Sequence, residues 1–251
     1  MIHKKIKYGI GLSLMVLLIV TAVTGCSSGS SGMTCSSREN TGEIVVTQSG
    51  FHTYFTADQT YGTELYCEFK NNTGKVLDVS TVTFELFKSD NSSMGSVSAV
   101  YAPQILQAGE TGYASFTVLP SSTKPKIHNG SEPGSIVVSF KYKYPADGAA
   151  DNTLAASDTK LDLQSKSLPA VQCKLHNASE KEVSDYNAVA GVFDANGTLI
   201  GCLRNDSSSA SMIKANWSAS TILSSWPDRT DVERFAGAAT ATVKAYSTQY
   251  K

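Results

Sequence analysis

The sequence predicts an all-β protein, and three observations support that fold class. Charged residues make up only 17% of the chain, whereas valine, threonine, serine, tyrosine and glycine recur throughout, a composition typical of strands and turns. In residues 65–70 and 81–86 every second side chain is apolar, as expected of strands with one buried face. The polar turn segments 71–74 and 88–91 follow these stretches closely. Short strands joined by tight turns indicate antiparallel sheets.

The second half of the chain repeats the first at an offset of 106 residues (173 minus 67). The register holds without a gap over residues 67–87 and 173–193. The identical pairs are Cys67/Cys173, Asn71/Asn177, Lys75/Lys181 and Phe87/Phe193. Two copies of one domain are the simplest explanation. They divide the folded part into domain 1 (residues 43–145), a linker (residues 146–158) and domain 2 (residues 159–251).

Strands with period-2 patterning in copies of about 100 residues predict two tandem immunoglobulin-like β-sandwich domains. The apolar faces of these strands define the predicted core. Its members are Cys67, Phe69, Val82, Phe84 and Leu86 in domain 1 and Cys173, Leu175 and Val192 in domain 2. Tyr66, Glu68 and Lys70 alternate with the core positions, and we expect them to face water.

A short motif within domain 1 resembles a known family. Residues 84–88 read Phe-Glu-Leu-Phe-Lys, with an asparagine-rich turn before them and residues 106–111 after them. This arrangement resembles the FxLYD family of bacterial surface lipoproteins. Lys88 stands where the family has aspartate, whereas the second copy keeps Asp194 but has Ala190 in place of the first phenylalanine. The resemblance implies an immunoglobulin-like fold and a cell-surface setting, and it implies no catalytic residues.

The first 25 residues are typical of an export signal. Lys4, Lys5 and Lys7 precede an apolar stretch at residues 10–23 that is too short to span a membrane. The sequence Val-Thr-Gly-Cys at residues 23–26 resembles a lipobox, so we expect cleavage before Cys26 and lipidation of its thiol. The alternative is an ordinary signal peptide with a cysteine near its end. Lipidation implies attachment to the cell membrane on its extracytoplasmic face, and the serine- and glycine-rich residues 26–42 serve as a flexible tether.

Composition and motifs argue against nucleic-acid binding and catalysis. Without residues 1–25 the chain keeps 18 basic (21 minus 3) and 22 acidic residues, and this net negative charge of about −4 does not suit a nucleic-acid partner. Ser-x-x-Lys occurs at residues 121–124 and 211–214, but prolines flank the first copy and the accompanying motifs of a serine acyltransferase are missing or out of order. His52, His128 and His176 lack ligand spacing. We therefore predict no enzyme, no metal site and no cofactor.

Two residue types leave alternatives open. Cys67 and Cys173 occupy the same inward position of the two copies, which favours small buried hydrophobic side chains. A disulfide between Cys173 and Cys202 is the alternative, because an exported protein permits one. Trp217 and Trp226 have no aromatic counterpart in domain 1. We expect them to cover the core, and stacking on sugars is the other interpretation.

The combined interpretation is a lipid-anchored cell-surface protein that acts as a non-catalytic binding or spacer module in the cell envelope. Its partners would be the membrane, through the lipid on Cys26, and envelope proteins or a cell-wall polymer. Contacts are expected at end loops such as residues 121–134 and 205–214. The alternative function is a receptor for a sugar or another small solute, working with a transporter.

Overall fold

The all-β prediction is confirmed by the structure, a computed structural model that describes residues 42–55, 61–99, 105–119, 133–145, 153–163, 169–205, 212–224 and 233–247. These residues form thirteen strands and one short 3-10 helix, Glu233–Gly237, and they contain no α-helix. The strands are β1 (Ile44–Phe55), β2 (Tyr61–Asn71), β3 (Leu77–Phe87), β4 (Ser93–Ala99), β5 (Ile105–Leu106), β6 (Thr111–Val118), β7 (Ser135–Lys143), β8 (Thr153–Asp162), β9 (Ala170–Asn177), β10 (Tyr186–Asp194), β11 (Leu199–Arg204), β12 (Trp217–Ser224) and β13 (Ala238–Ser247).

The first half, residues 42–145, consists of two antiparallel sheets. One has the order β1-β2-β6, and the other places β3 between β7 on one side and β4 with the short β5 on the other. The inward side chains of both sheets form one core that includes Leu65, Phe69, Val82 and Phe84. Phe69 and Phe140 come from opposite sheets and meet with ring centroids 4.9 Å apart. This is the packing of a β-sandwich.

The second half, residues 153–247, repeats the same strand pairing. Strands β8, β9 and β12 pair as β1, β2 and β6 do, and β11, β10 and β13 pair as β4, β3 and β7 do. Short pairings join the edges of these two sheets into a closed ring: Arg204 pairs with Ser224, and Ala245 with Leu154. A separate core fills this ring and shares no residue with the first.

Strand β8 begins earlier than the sequence suggested. It starts at Thr153 and already pairs with β13 there, so residues 153–158, which we assigned to the linker, are strand. The sequence of this stretch is polar and rich in small residues, so it did not indicate a strand. Leu154 and Ala156 alternate inward while Ala155 and Ser157 lie exposed, and the small side chains carry too weak a signal for a period-2 prediction.

An asparagine at the end of β2 and another at the end of β9 hold the two halves' turns in the same way. Nδ2 of Asn71 donates to the carbonyl oxygens of Lys75, Leu106 and Gln107 at 2.7–3.0 Å. Its Oδ1 accepts from the backbone N–H and the hydroxyl of Thr73. Asn177 makes the corresponding bonds to Lys181, Ile213, Lys214 and Ser179. We call each arrangement an asparagine clasp. The matching contacts follow the 106-residue register closely.

Candidate binding surface

Every predicted core position is buried in the structure. Phe69, Val82, Phe84 and Leu86 belong to the core of the first half, with Cys67. Leu175, Cys173 and Val192 belong to the core of the second half. None of these eight side chains is more than 4% exposed. They support the scaffold and are not available to a ligand.

The structure does not form the alternative disulfide between Cys173 and Cys202, because the two thiols lie in different clusters and are not joined. Cys173 points into the core of the second half. Cys202 points to the other side of its sheet, among Tyr66 and Tyr113 of the first half. Burial raises the pKa of Cys173 to about 11, and burial also raises the pKa of Cys67. Both thiols are therefore protonated near neutral pH and are poor nucleophiles.

The halves pack against each other through the outward sides of two sheets. Strands β2 and β6 of the first half lie against β10 and β11 of the second half. The apolar part of this contact is a third cluster, whose members are Tyr66, Tyr113, Val189, Phe193, Leu199 and Cys202. We call it the interhalf contact. It overturns the expectation that Tyr66 faces water, because this side chain is only 8% exposed.

Tyr113 is the centre of the interhalf contact. Its ring lies directly over Gly191, where a Cβ atom would come within 2.6 Å of the ring. Its edge meets Phe193 with ring centroids 6.0 Å apart, and its side chain hydrogen-bonds Thr242. Burial, together with the nearby Glu68 carboxylate, raises the pKa of the Tyr113 hydroxyl. The ring therefore fits only because glycine occupies position 191.

Polar contacts at the two ends of this interface fix its register. At one end Gln48 makes two hydrogen bonds to the backbone of the β10–β11 hairpin. Its Oε1 accepts from Leu199 N–H at 2.7 Å, and its Nε2 donates to the Gly197 carbonyl at 3.1 Å. At the other end Glu110 Oε1 lies 2.7 Å from Lys244 Nζ and accepts from the Tyr246 hydroxyl at 3.2 Å. The Glu110 and Lys244 side chains are 12% and 26% exposed, so water screens this ion pair less than an exposed one.

The sequence contained a signal for the interhalf contact that our interpretation missed. Residues 188–193 of β10 read Ala-Val-Ala-Gly-Val-Phe and are all buried. A run of apolar residues without alternation is typical of a strand that is covered on both faces. Residues 199–203 of the neighbouring β11 read Leu-Ile-Gly-Cys-Leu and are also all buried. The strand β3, which matches β10, alternates cleanly between buried and half-exposed residues.

Two sheet faces remain exposed on opposite sides of the molecule. The N-terminal free face is the outward side of β4-β3-β7, and the C-terminal free face is the outward side of β8-β9-β12. The first includes Thr83, Glu85, Ser96, Val137, Ser139 and Lys141. The second includes Gln172, Lys174, His176, Ser218, Ser220 and Ile222. Ile222 is 58% exposed.

Trp217 is 64% exposed. This overturns the expectation that it covers the core, and Trp226 lies outside the described residues. Trp217 is the first residue of β12 and pairs with the buried Asn177 of the clasp, so it lies on the core side of the sheet at the end of the strand and is not covered there. Met212, five residues earlier (217 minus 212), is 56% exposed.

The residues that the sequence analysis weighed for metal binding and catalysis are only partly described. The described residues contain no group of three histidine, cysteine or acidic side chains that is arranged to hold a metal ion. His176 lies on the C-terminal free face with Nδ1 at 3.1 Å from the Ser218 hydroxyl. Cys26, Ser121 and Ser211 lie outside the described residues, as do most of the loops 121–134 and 205–214.

Comparisons with known proteins add no relative. No protein-family model matches the chain, and no curated protein matches it. None of the helices among the described residues has the length and apolarity needed to cross a membrane.

Proposed function

We propose that the chain is a lipid-anchored cell-surface protein that acts without catalysis as a binding or spacer module. The packed interhalf contact is the observation that carries this proposal. Two sandwiches joined by Tyr113, Gln48 and the ion pair of Glu110 with Lys244 are held at a defined angle. A chain of loosely linked domains would not keep its faces in fixed positions. A rigid pair suits a protein that presents a surface at a distance from a membrane.

The lipid anchor and the tandem immunoglobulin-like domains belong to this proposal. The lipobox-like residues 23–26 and the basic and apolar segments before them support the anchor. The two asparagine clasps and the repeated strand pairing support a duplicated domain, as the 106-residue repeat predicts. The FxLYD resemblance implies that each copy has an immunoglobulin-like fold.

Lipidation is tested with the full-length protein in cells. We expect metabolic labelling with palmitate to be lost in Cys26→Ala and kept in Cys35→Ala, because only Cys26 follows the lipobox-like residues. The Cys26→Ala protein should be released from the membrane or remain unprocessed. Labelling that persists in Cys26→Ala would exclude the anchor at this position.

The binding role is tested by crosslinking on intact cells together with a thermal-shift screen of sugars and solutes. We expect crosslinks to envelope proteins or wall material and no saturable thermal shift. A ligand that binds only the folded state raises its unfolding temperature in a concentration-dependent way. A saturable shift with one sugar or solute would favour the receptor alternative over the binding module.

A further inference from the structure

The two free faces are the counterparts of the two faces that meet inside the molecule. The strand pairing relates β8-β9-β12 to β1-β2-β6, and β4-β3-β7 to β11-β10-β13. The C-terminal free face thus corresponds to the side that the first half presents to the second. The N-terminal free face corresponds to the side that the second half presents in return. The interhalf contact is head-to-tail, and each half has one unused side.

We propose that the C-terminal free face of one copy docks on the N-terminal free face of a second copy. This contact between two copies would repeat the arrangement that joins the two halves of a single copy. It goes beyond the proposed function and needs no lipid. A head-to-tail contact leaves one face of each end copy unused, so further copies extend the assembly into a filament or a ring.

The strand registers identify which side chains would meet. Lys174 takes the place of Glu68, and Ser220 takes the place of Tyr113, because Ser220 pairs with Lys174 as Tyr113 pairs with Glu68. On the opposite face Glu85 takes the place of Gly191 at the 106-residue offset. Within the molecule, a large ring covers a glycine. Between copies, a small serine would face the longer glutamate.

The two faces also carry opposite charges at this position. Lys174 lies beside Ser220 on the neighbouring strand, so its ammonium group would approach the Glu85 carboxylate of the second copy. Lys174 is at present paired with Asp158 at 2.8 Å, but both side chains are more than half exposed. Such surface pairs contribute little and exchange readily.

The contact is polar and exposed, so each single pairing is weak. Confinement of many copies to one membrane surface would raise their effective concentration and favour the assembly. A second copy is favoured over other occupants because oppositely charged and size-matched residues stand at corresponding positions of the two faces.

The first test locates the contact in the full-length protein. Light and heavy nitrogen-labelled copies are mixed and treated with a zero-length carbodiimide, which joins a lysine to a carboxylate only when they touch. We expect a mixed-label peptide that links Lys174 to Glu85. The two residues lie on opposite faces of one molecule, so a link within one copy is excluded. Absence of the mixed-label link at every concentration up to the millimolar range would overturn the proposal.

The second test uses charge reversal and sedimentation of the full-length protein. Lys174→Glu and Glu85→Lys should each weaken self-association roughly fivefold to tenfold. An equimolar mixture of the two variants should regain it, because each supplies the face that the other needs. Lys181→Glu, an equal change in the exposed turn after β9, should have no effect. Equal association of all variants, or no recovery in the mixture, would contradict the head-to-tail contact.

Discussion

Phe84 and Glu85 are neighbours on β3 with opposite surroundings. Phe84 is fully buried in the core of the first half, whereas Glu85 faces outward and accepts a hydrogen bond from the Ser93 hydroxyl at 3.3 Å. We expect Phe84→Ala to lower the free energy of unfolding by about 3–5 kcal/mol, because the lost ring leaves a cavity. Glu85→Ala is the matched control and should change it by less than about 0.5 kcal/mol. Denaturant unfolding measures both, and similar values would show that the strand faces are misassigned.

Gly191 makes the interhalf contact possible. A Cβ atom at this position would lie within 2.6 Å of the Tyr113 ring, so Gly191→Ala must displace the ring or part the halves. We expect a loss of about 1–3 kcal/mol, as is typical of overpacking. Gly74→Ala is the control, since a Cβ atom there meets nothing within 4 Å. An equal loss in both variants would indicate a general cost of replacing glycine and no role for the interhalf contact.

Glu43 joins the start of β1 to the end of β7. Its carboxylate accepts hydrogen bonds from the hydroxyls of Tyr142 and Tyr144, and the Lys75 ammonium group lies over the Tyr144 ring. The Tyr142 bond, followed by that of Tyr144, lowers the pKa of Glu43 below its ordinary value of 4.5. A lowered pKa in the folded state means that this contribution to stability is present above pH 4.5 and is lost as the pH falls through the folded-state value.

Glu43→Gln should therefore be less stable than the native chain at neutral pH and should lose less stability on acidification. Unfolding temperatures measured from neutral pH to below the Glu43 pKa test this expectation. Parallel curves for the two proteins would show that the two tyrosine hydroxyls do not stabilise the carboxylate.

The asparagine clasps hold the turns that follow β2 and β9. Asn71 and Asn177 are at most 1% exposed, and each Nδ2 satisfies backbone carbonyls from two separate turns. Replacement of either by alanine leaves buried carbonyls without a donor. We expect a cost of about 1–3 kcal/mol for each, and little change for Asn72→Ala, whose side chain is exposed. Thermal unfolding distinguishes these outcomes, and a neutral Asn71→Ala would mean that water replaces the amide.

The same clasps explain why the repeat was visible in the sequence. An asparagine amide bonds three carbonyls and two donors in each half, and Asn71/Asn177 are identical whereas most of the surrounding pairs differ. Strand β8 shows the opposite case. Its side chains are small and polar, and only the pairing with β9 and β13 makes it a strand.

At the scale of the whole molecule, the interhalf contact links two separate cores. Fragments cut within residues 146–152, before β8, should each fold, because neither core contains a residue from the other half. Each fragment would expose the side chains of the interhalf contact, so the two fragments should associate when mixed. Gly191→Ala in the second fragment should prevent that association. Analytical ultracentrifugation and circular dichroism measure both effects, and fragments that remain unfolded would mean that the halves form one cooperative unit.

The sequence by itself determined the all-β class, the inward faces of β2, β3 and β9 and the matched turns of the two halves. These features depend on neighbours in sequence: alternation sets which side of a strand is apolar, and a turn needs residues with suitable backbone and side-chain bonds. Only the tertiary structure decided the exposure of the outward faces and of the strand ends. Tyr66, predicted to face water, is buried, and Trp217, predicted to be covered, is exposed. Whether an outward side chain is covered depends on a partner surface more than a hundred residues away, and period-2 patterning carries no information about that partner.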